Sequence, residues 1–244
     1  MKSIQQIINE KLKLANVIDY NEYIIFEALE DSTVGFYTHT NNIKLEYSYN
    51  CKDWYDWYET KQFADIEIKK GNCLYVRGFN KEFTTKGKYN TFETRGKIKL
   101  YGNIMSLLYG NNTKDKRILT SDDCFKYLFE ESPGLYDASN LILPAEKLTN
   151  RCYHSMFKNC INLVKGPKVL PAQKLKERCY SFMFYGCESL EEAPDLIATE
   201  TESDCCRRMF KNCEKLNKKP IIDFDISNNH DCFEMFKNCP CEYK

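Results

Sequence analysis

Thirteen cysteines are the side chains of this 244-residue sequence with the most chemistry to offer. Cys152 and Cys160 bracket the phrase "CYHSMFKNC", and Cys179 and Cys187 bracket the similar phrase "CYSFMFYGC". Thiols in such a pattern could form disulfides, bind a metal ion or fill a repeated structural position. The spacing of the cysteines and the rest of the sequence favour one of these readings.

Neither metal binding nor disulfide formation fits the pattern well. Metal sites favour close pairs such as C-x2-C, whereas these pairs are C-x7-C and the chain has only three histidines. The tail does concentrate His230, Cys232, Cys239 and Cys241, which keeps a zinc site there as an alternative. The odd cysteine total and an N-terminus without a continuous apolar stretch argue against an exported, disulfide-bonded protein. We therefore predict reduced thiols, with no metal and no cofactor.

The cysteines belong to a repeat of 26 to 28 residues. Five copies align on Leu128-Phe129, Met156-Phe157, Met183-Phe184, Met209-Phe210 and Met235-Phe236. The residue that closes each phrase is Ser132, Cys160, Cys187, Cys213 or Cys239. A period of this length predicts a solenoid of stacked coils that share one core. Ten cysteines recur at repeat positions, where cysteine serves as a small buried apolar residue.

Each coil is expected to hold a short strand and a short helix. The segment "CINLVKGP" predicts the strand. The segment "ERCYSFMF" places Cys179, Phe182 and Met183 at i, i+3 and i+4, on one face of a helical turn.

The phrases "MFKNCINL", "MFYGCESL" and "MFKNCEKL" resemble the AF-x-x-C-x-x-L phrase of BspA-like leucine-rich repeat proteins. With "LPAEKL" and "LPAQKL" they resemble a subgroup found in gut Bacteroidales and their phages. The resemblance covers residues from about 120 to 244 and implies a right-handed leucine-rich solenoid with a non-enzymatic recognition role. Ile197 and Asp223 depart from it, because they stand where the earlier copies have Pro144 and Pro171.

The upstream residues predict a different architecture. Residues 24–101 contain alternating apolar segments such as "NIKLEYSY" and "ADIEIKK", which are typical of antiparallel strands. Apolar positions in residues 1–20 share a helical stripe. That segment either docks on its own domain or a partner, or acts like the N-terminal helices of tailed-phage virion proteins that it resembles.

The predicted fold class is therefore β-rich α+β. We expect an amphipathic helix over residues 1–20, a β-sandwich-like domain over 21–110, a junction over 111–119, and a leucine-rich-repeat solenoid of five coils over 120–244.

The composition narrows the functional classes. Lys+Arg and Asp+Glu are both 35, so no global field attracts a nucleic acid. No apolar run is long enough to cross a membrane, and no nucleotide-binding or hydrolase motif occurs. We predict a non-enzymatic module that binds a protein or glycan and lies in the cytoplasm of the producing cell or in a virion. The alternative is a structural component of a phage particle, anchored among other virion proteins by its N-terminal helix.

Two sets of residues are candidates for binding. Positions that vary between copies, while their neighbours keep the repeat, are Tyr136, Asp137, Val164, Lys165, Glu191, Glu192, Asn217 and Lys218. The aromatic stretch "DWYDWYET" contributes Trp54, Tyr55, Trp57 and Tyr58. Both sets have a plain alternative. The first can be ordinary solvated surface, and half of the second can face the core of a strand.

Overall fold

The computed structural model describes residues 22–39, 43–57, 65–84, 87–227 and 230–243. The predicted N-terminal helix of residues 1–20 lies outside these ranges. No helix within them is long and apolar enough to cross a membrane.

Eight strands precede the repeats, and each forms where apolar and polar residues alternate. In β5, for example, Ile66 and Ile68 are buried while Glu67 is exposed. The strands are β1 (Ile24–Ala28), β2 (Ser32–Thr38), β3 (Leu45–Ser48), β4 (Tyr55–Asp56), β5 (Ile66–Ile68), β6 (Cys73–Gly78), β7 (Asn90–Arg95) and β8 (Ile98–Asn103). A single short helix of the described residues, α1 (Ser106–Tyr109), follows β8.

These strands form two sheets that share a core. One sheet has the order β4-β3-β6-β1-β8-β9, in which β9 (Leu135–Ile142) belongs to the first repeat copy, and the other has the order β5-β2-β7. Their facing residues meet as aromatic rings: the centroid of Phe92 in β7 lies 5.4 Å from that of Phe26 in β1 of the other sheet. Phe36, the cross-strand neighbour of Phe92 in its own sheet, lies 4.6 Å away. Within these two sheets every strand pair is antiparallel except β8 with β9, which are parallel.

Each repeat copy begins with a run of tight turns and not with the predicted helix. In the second copy, φ is positive at every fourth residue: Arg151, Ser155 and Asn159. Buried pairs separate these positions, as in Cys179-Tyr180 and Met183-Phe184 of the third copy. The expectation that Phe182 shares the buried face is wrong, since Phe182 has a φ of 58° and is only partly buried.

Backbone hydrogen bonds join the turns of successive copies. The N–H groups of Tyr153, Ser155 and Phe157 donate to the carbonyl oxygens of Cys179, Ser181 and Met183, at 3.1, 2.9 and 2.8 Å. The alternate N–H groups donate three residues back within their own copy, as Met156 does to Tyr153. The turns of one copy therefore depend on the next copy for half of their donors.

A column of phenyl rings runs through the stacked turns. Adjacent ring centroids lie 5.2 to 5.8 Å apart with interplanar angles of 8° to 24°. We call this column the phenyl ladder; its members are Phe92, Phe129, Phe157, Phe184, Phe210 and Phe236. Offset stacking of buried rings adds about 0.5–1.5 kcal/mol per pair to the burial of apolar area.

The rest of each copy pairs through short parallel contacts. Small two-stranded sheets join β10 (Val169–Leu170) to β12 (Asp195–Leu196), and β11 (Lys174–Leu175) to β13 (Glu200–Thr201). A 3-10 helix, Pro240–Tyr243, follows the last copy.

The predicted fold class is wrong. No leucine-rich-repeat solenoid of five coils is detected: the described residues are 30% strand and 3% helix, arranged in several small sheets, with no helical turn within a copy. Nor does a separate antiparallel domain precede the repeats. The pairing of β8 with β9 carries the large sheet into the first copy, and one hydrophobic cluster extends from Ile24 to Cys241.

The closing cysteines have a role beyond their size. The Sγ of Cys160 donates to the carbonyl oxygen of Phe129 at 2.9 Å, and the Sγ of Cys187 donates to that of Phe157 at 3.0 Å. The first copy has β7 beneath it and carries Ser132 instead. The hydroxyl of Ser132 accepts the N–H of Thr94 in β7 at 2.8 Å. The first copy therefore carries serine at the closing position because its neighbour is the strand β7 and not another repeat copy.

Substituting Phe184 by alanine should lower the free energy of unfolding by about 3–5 kcal/mol, because it leaves a cavity in the middle of the phenyl ladder. Urea unfolding measures this loss. Phe182→Ala removes the same atoms from the partly buried outer side of the same copy and should cost clearly less. Equal losses for the two variants would contradict the ladder.

Two substitutions at Cys187 distinguish the contribution of its hydrogen bond to stability from that of its volume. Cys187→Ser keeps a donor for the carbonyl of Phe157, whereas Cys187→Ala removes it. We expect the serine variant to be the more stable of the two by about 1 kcal/mol, the usual net value of such a bond. An alanine variant at least as stable as the serine variant would show that the thiol acts through size alone.

Candidate functional site

The variable repeat positions lie together on one face. In the first two copies two outward residues stand between two buried ones, as Tyr136 and Asp137 stand between Leu135 and Ala138; in the next two copies the pair follows a buried leucine, Leu190 or Leu216. Isolated parallel bridges join Asp137 to Lys165 and Lys165 to Glu192. We call this surface the variable face; its residues are Tyr136, Asp137, Val164, Lys165, Glu191, Glu192, Asn217 and Lys218.

Charges along one column of the variable face are matched between copies. The Nζ of Lys165 lies 2.6 Å from Oε1 of Glu192. This hydrogen bond raises the pKa of Lys165 above its ordinary value. Both side chains are exposed, so the pair contributes little to stability.

The other column opens into a groove of about 510 Å³. Tyr136, Val164 and Glu191 of the variable face line it, and we call it the variable-face groove. Its remaining lining residues are Glu30, Gly96, Lys97, Pro133, Gly134, Asn162, Ser189 and Lys215. The other five residues of the variable face do not line the groove.

The charged residues of the groove make no salt bridge within the described residues, unlike the matched column beside it, although the charge of Glu191 helps to raise the pKa of Lys165 in that column. Within the described part of the chain, no salt bridge involves any of its four charged lining residues, which are Glu30, Lys97, Glu191 and Lys215. The ammonium of Lys97 instead lies 3.8 Å from the ring centroid of Tyr136, a cation–π contact. The groove therefore presents two carboxylates and two ammonium groups to a ligand.

Sequence reasoning missed Glu30, Lys97 and Lys215. Glu30 lies between β1 and β2, and Lys97 lies between β7 and β8. These turns reach the variable face only because β8 pairs with β9. No local sequence pattern predicts that β8 and β9 pair with each other. Lys215 stands one residue before the repeat leucine Leu216, at a position that the repeat does not constrain.

The aromatic stretch does not form one platform in the described residues. Trp57 is buried in the main core. Trp54 packs on Tyr23, with centroids 5.0 Å apart, and the guanidinium of Arg77 lies 3.9 Å from its ring centroid. Tyr55 is 50% exposed, and Tyr58 lies outside the described residues. A binding role for these four residues stays a prediction.

All thirteen cysteines are free thiols, and eleven of them are buried. Burial raises the pKa of the Cys124 and Cys160 thiols from 9.0 to about 12. Cys232 differs, because hydrogen bonds from the thiols of Cys205 and Cys206 lower its pKa from the ordinary value. No cluster of three or more potential ligands among the described residues could hold a metal ion, and this includes the tail considered for zinc.

Comparison with known proteins identifies no relative of the chain. No family model matches the chain, and no curated protein or solved structure matches it. The resemblance to BspA-like leucine-rich repeat proteins therefore stays a prediction.

The raised thiol pKa values predict a loss of stability at alkaline pH. A cysteine whose folded pKa is about 12 stays protonated in the folded state, while its unfolded form ionises above 9.0. Its contribution to the free energy of unfolding is complete below pH 9.0 and is lost as the pH rises toward 12. Urea unfolding with reductant at pH 8 and pH 10.5 should show the decrease. Cys160→Ser should reduce that decrease by roughly 1–2 kcal/mol, and an unchanged decrease would contradict the assignment.

Proposed function

We propose that the protein is a non-catalytic binding module that recognises a protein or a glycan through its variable face. The groove carries this proposal, because it gathers charged side chains that have no ion-pair partner within the described part of the chain. Charges that make no salt bridge in a concave site are available to a ligand, and they confer specificity and orientation.

The arrangement of the copies supports the same proposal. Leu163 and Gly166, which flank Val164 and Lys165, are buried and hold the copy in the stack. The two outward residues are only partly buried and do not belong to the core, so their chemistry can change without disturbing it. A surface of this kind suits a recognition module.

A structural role in a phage particle is the alternative. It depends on the segment of residues 1–20, which lies outside the described residues. Size-exclusion and pull-down experiments with and without that segment test the alternative separately from the variable face.

Charge reversal on the variable face tests the proposed function. The full-length protein is screened on glycan and protein arrays, and every ligand found is titrated against Glu191→Lys/Glu192→Lys. We expect at least one ligand to lose roughly tenfold in affinity, because two of its charge contacts become repulsive.

Glu146→Lys/Glu200→Lys is the matched control for this double variant. Glu146 matches Glu191, because it is exposed and makes no salt bridge within the described residues. Glu200 matches Glu192, because it pairs with a lysine of the preceding copy, Lys174, at 3.0 Å. The control should bind as the wild type does. If every ligand binds both double variants like the wild type, the variable face is not the site. The surface around Trp54 then becomes the next candidate.

A further inference from the structure

We infer that the variable-face groove takes an extended peptide segment that carries one acidic and one basic side chain, an inference that rests on the proposed function. The occupant is a segment of a partner protein and not a carbohydrate. Four observations on the groove lead to this class of ligand: its charges, its length, the state of its aromatic ring, and its open polar walls.

The charges of the groove favour a ligand that carries both signs of charge. Glu30 and Glu191 are carboxylates and Lys97 and Lys215 are ammonium groups, so the lining charges sum to zero. A polyanion would be repelled by the two carboxylates of the groove, and a polycation would be repelled by its two lysines. A segment with one acidic and one basic side chain offers an opposite charge to each kind of lining group, and its net charge is zero like that of the groove.

The length of the groove fits a short extended chain. Pro133, Asn162, Ser189 and Lys215 line it from four successive copies. Successive copies are 5.4, 5.2 and 5.6 Å apart along the phenyl ladder, so the four residues span about 16 Å. An extended chain rises about 3.3 Å per residue, so roughly five residues fit.

The aromatic ring of the groove is poorly placed for a sugar. Sugar rings stack on open aromatic faces, but Lys97 covers one face of Tyr136 at 3.8 Å. Tyr136 is also the one aromatic residue among those that line the groove. The remaining walls include Val164, Asn162 and Ser189, which suit a peptide with small and polar neighbours beside its charges.

The test uses an array of random hexapeptides, with a glycan array in parallel and the full-length protein as the probe. We expect the bound peptides to be enriched in sequences that hold one acidic and one basic residue within five positions. Glu191→Lys should weaken these peptides by about fivefold and shift the selection toward peptides with a second acidic residue. Glu146→Lys, the same change at an exposed site outside the groove, should leave the selection unchanged.

The outcomes separate this inference from the proposed function. Bound peptides without a charge preference, or a preference that Glu191→Lys leaves unaltered, would overturn the inference. Glycans that bind in a Glu191-dependent way, with no peptide bound, would also overturn it while supporting the proposed function. If neither array nor any protein ligand responds to the variable face, the proposed function fails together with the inference.

Discussion

The hydrogen bonds between the turns of successive copies are the constraint on which the rest of the structure depends. Thirteen non-glycine residues of the turns have positive φ, a conformation that costs roughly 1–2 kcal/mol per residue. An isolated copy could not hold it, because half of its turn donors would have no protein partner. The next copy supplies carbonyls in register, as Ser181 does for Ser155 at 2.9 Å, and the stacked rings keep that register. Strain within one copy is thus offset by contact with another.

The same constraint explains why the first copy and the upstream sheets form one body. A stack of this kind needs a surface on which to begin, and β7 provides it. The ring of Phe92 continues the phenyl ladder, the N–H of Phe92 donates to Leu128 at 2.7 Å, and Thr94 bonds Ser132. The pairing of β8 with β9 secures the same junction in the larger sheet. Unfolding of the first copy would therefore expose the phenyl ladder and the upstream core together.

The sequence predicted the 26- to 28-residue repeat and the alternating strands, since these follow from local spacing. It failed on the conformation of the turns. Cys179, Phe182 and Met183 fit a helical face, and so do the pairs Cys179-Tyr180 and Met183-Phe184 that are in fact buried. Only contacts with the next copy decide between the two conformations, and a single window of sequence contains no such contacts. The groove was half predictable for the same reason: Glu191 follows from the repeat, whereas Lys97 arrives through a strand pairing between distant segments.

The residues that hold the copies together are separate from those of the variable face, and this decides how the binding surface can change. The turns and the phenyl ladder occupy one side of each copy, and the variable face lies beyond the closing cysteine. A substitution at Glu191 or Val164 therefore leaves the ladder intact and alters only what the groove offers a ligand. Lys97 is less free, because Ile98 beside it is fully buried and pairs with Leu135. One wall of the groove is thus set by the core of the upstream sheets, while the opposite wall can change with each copy.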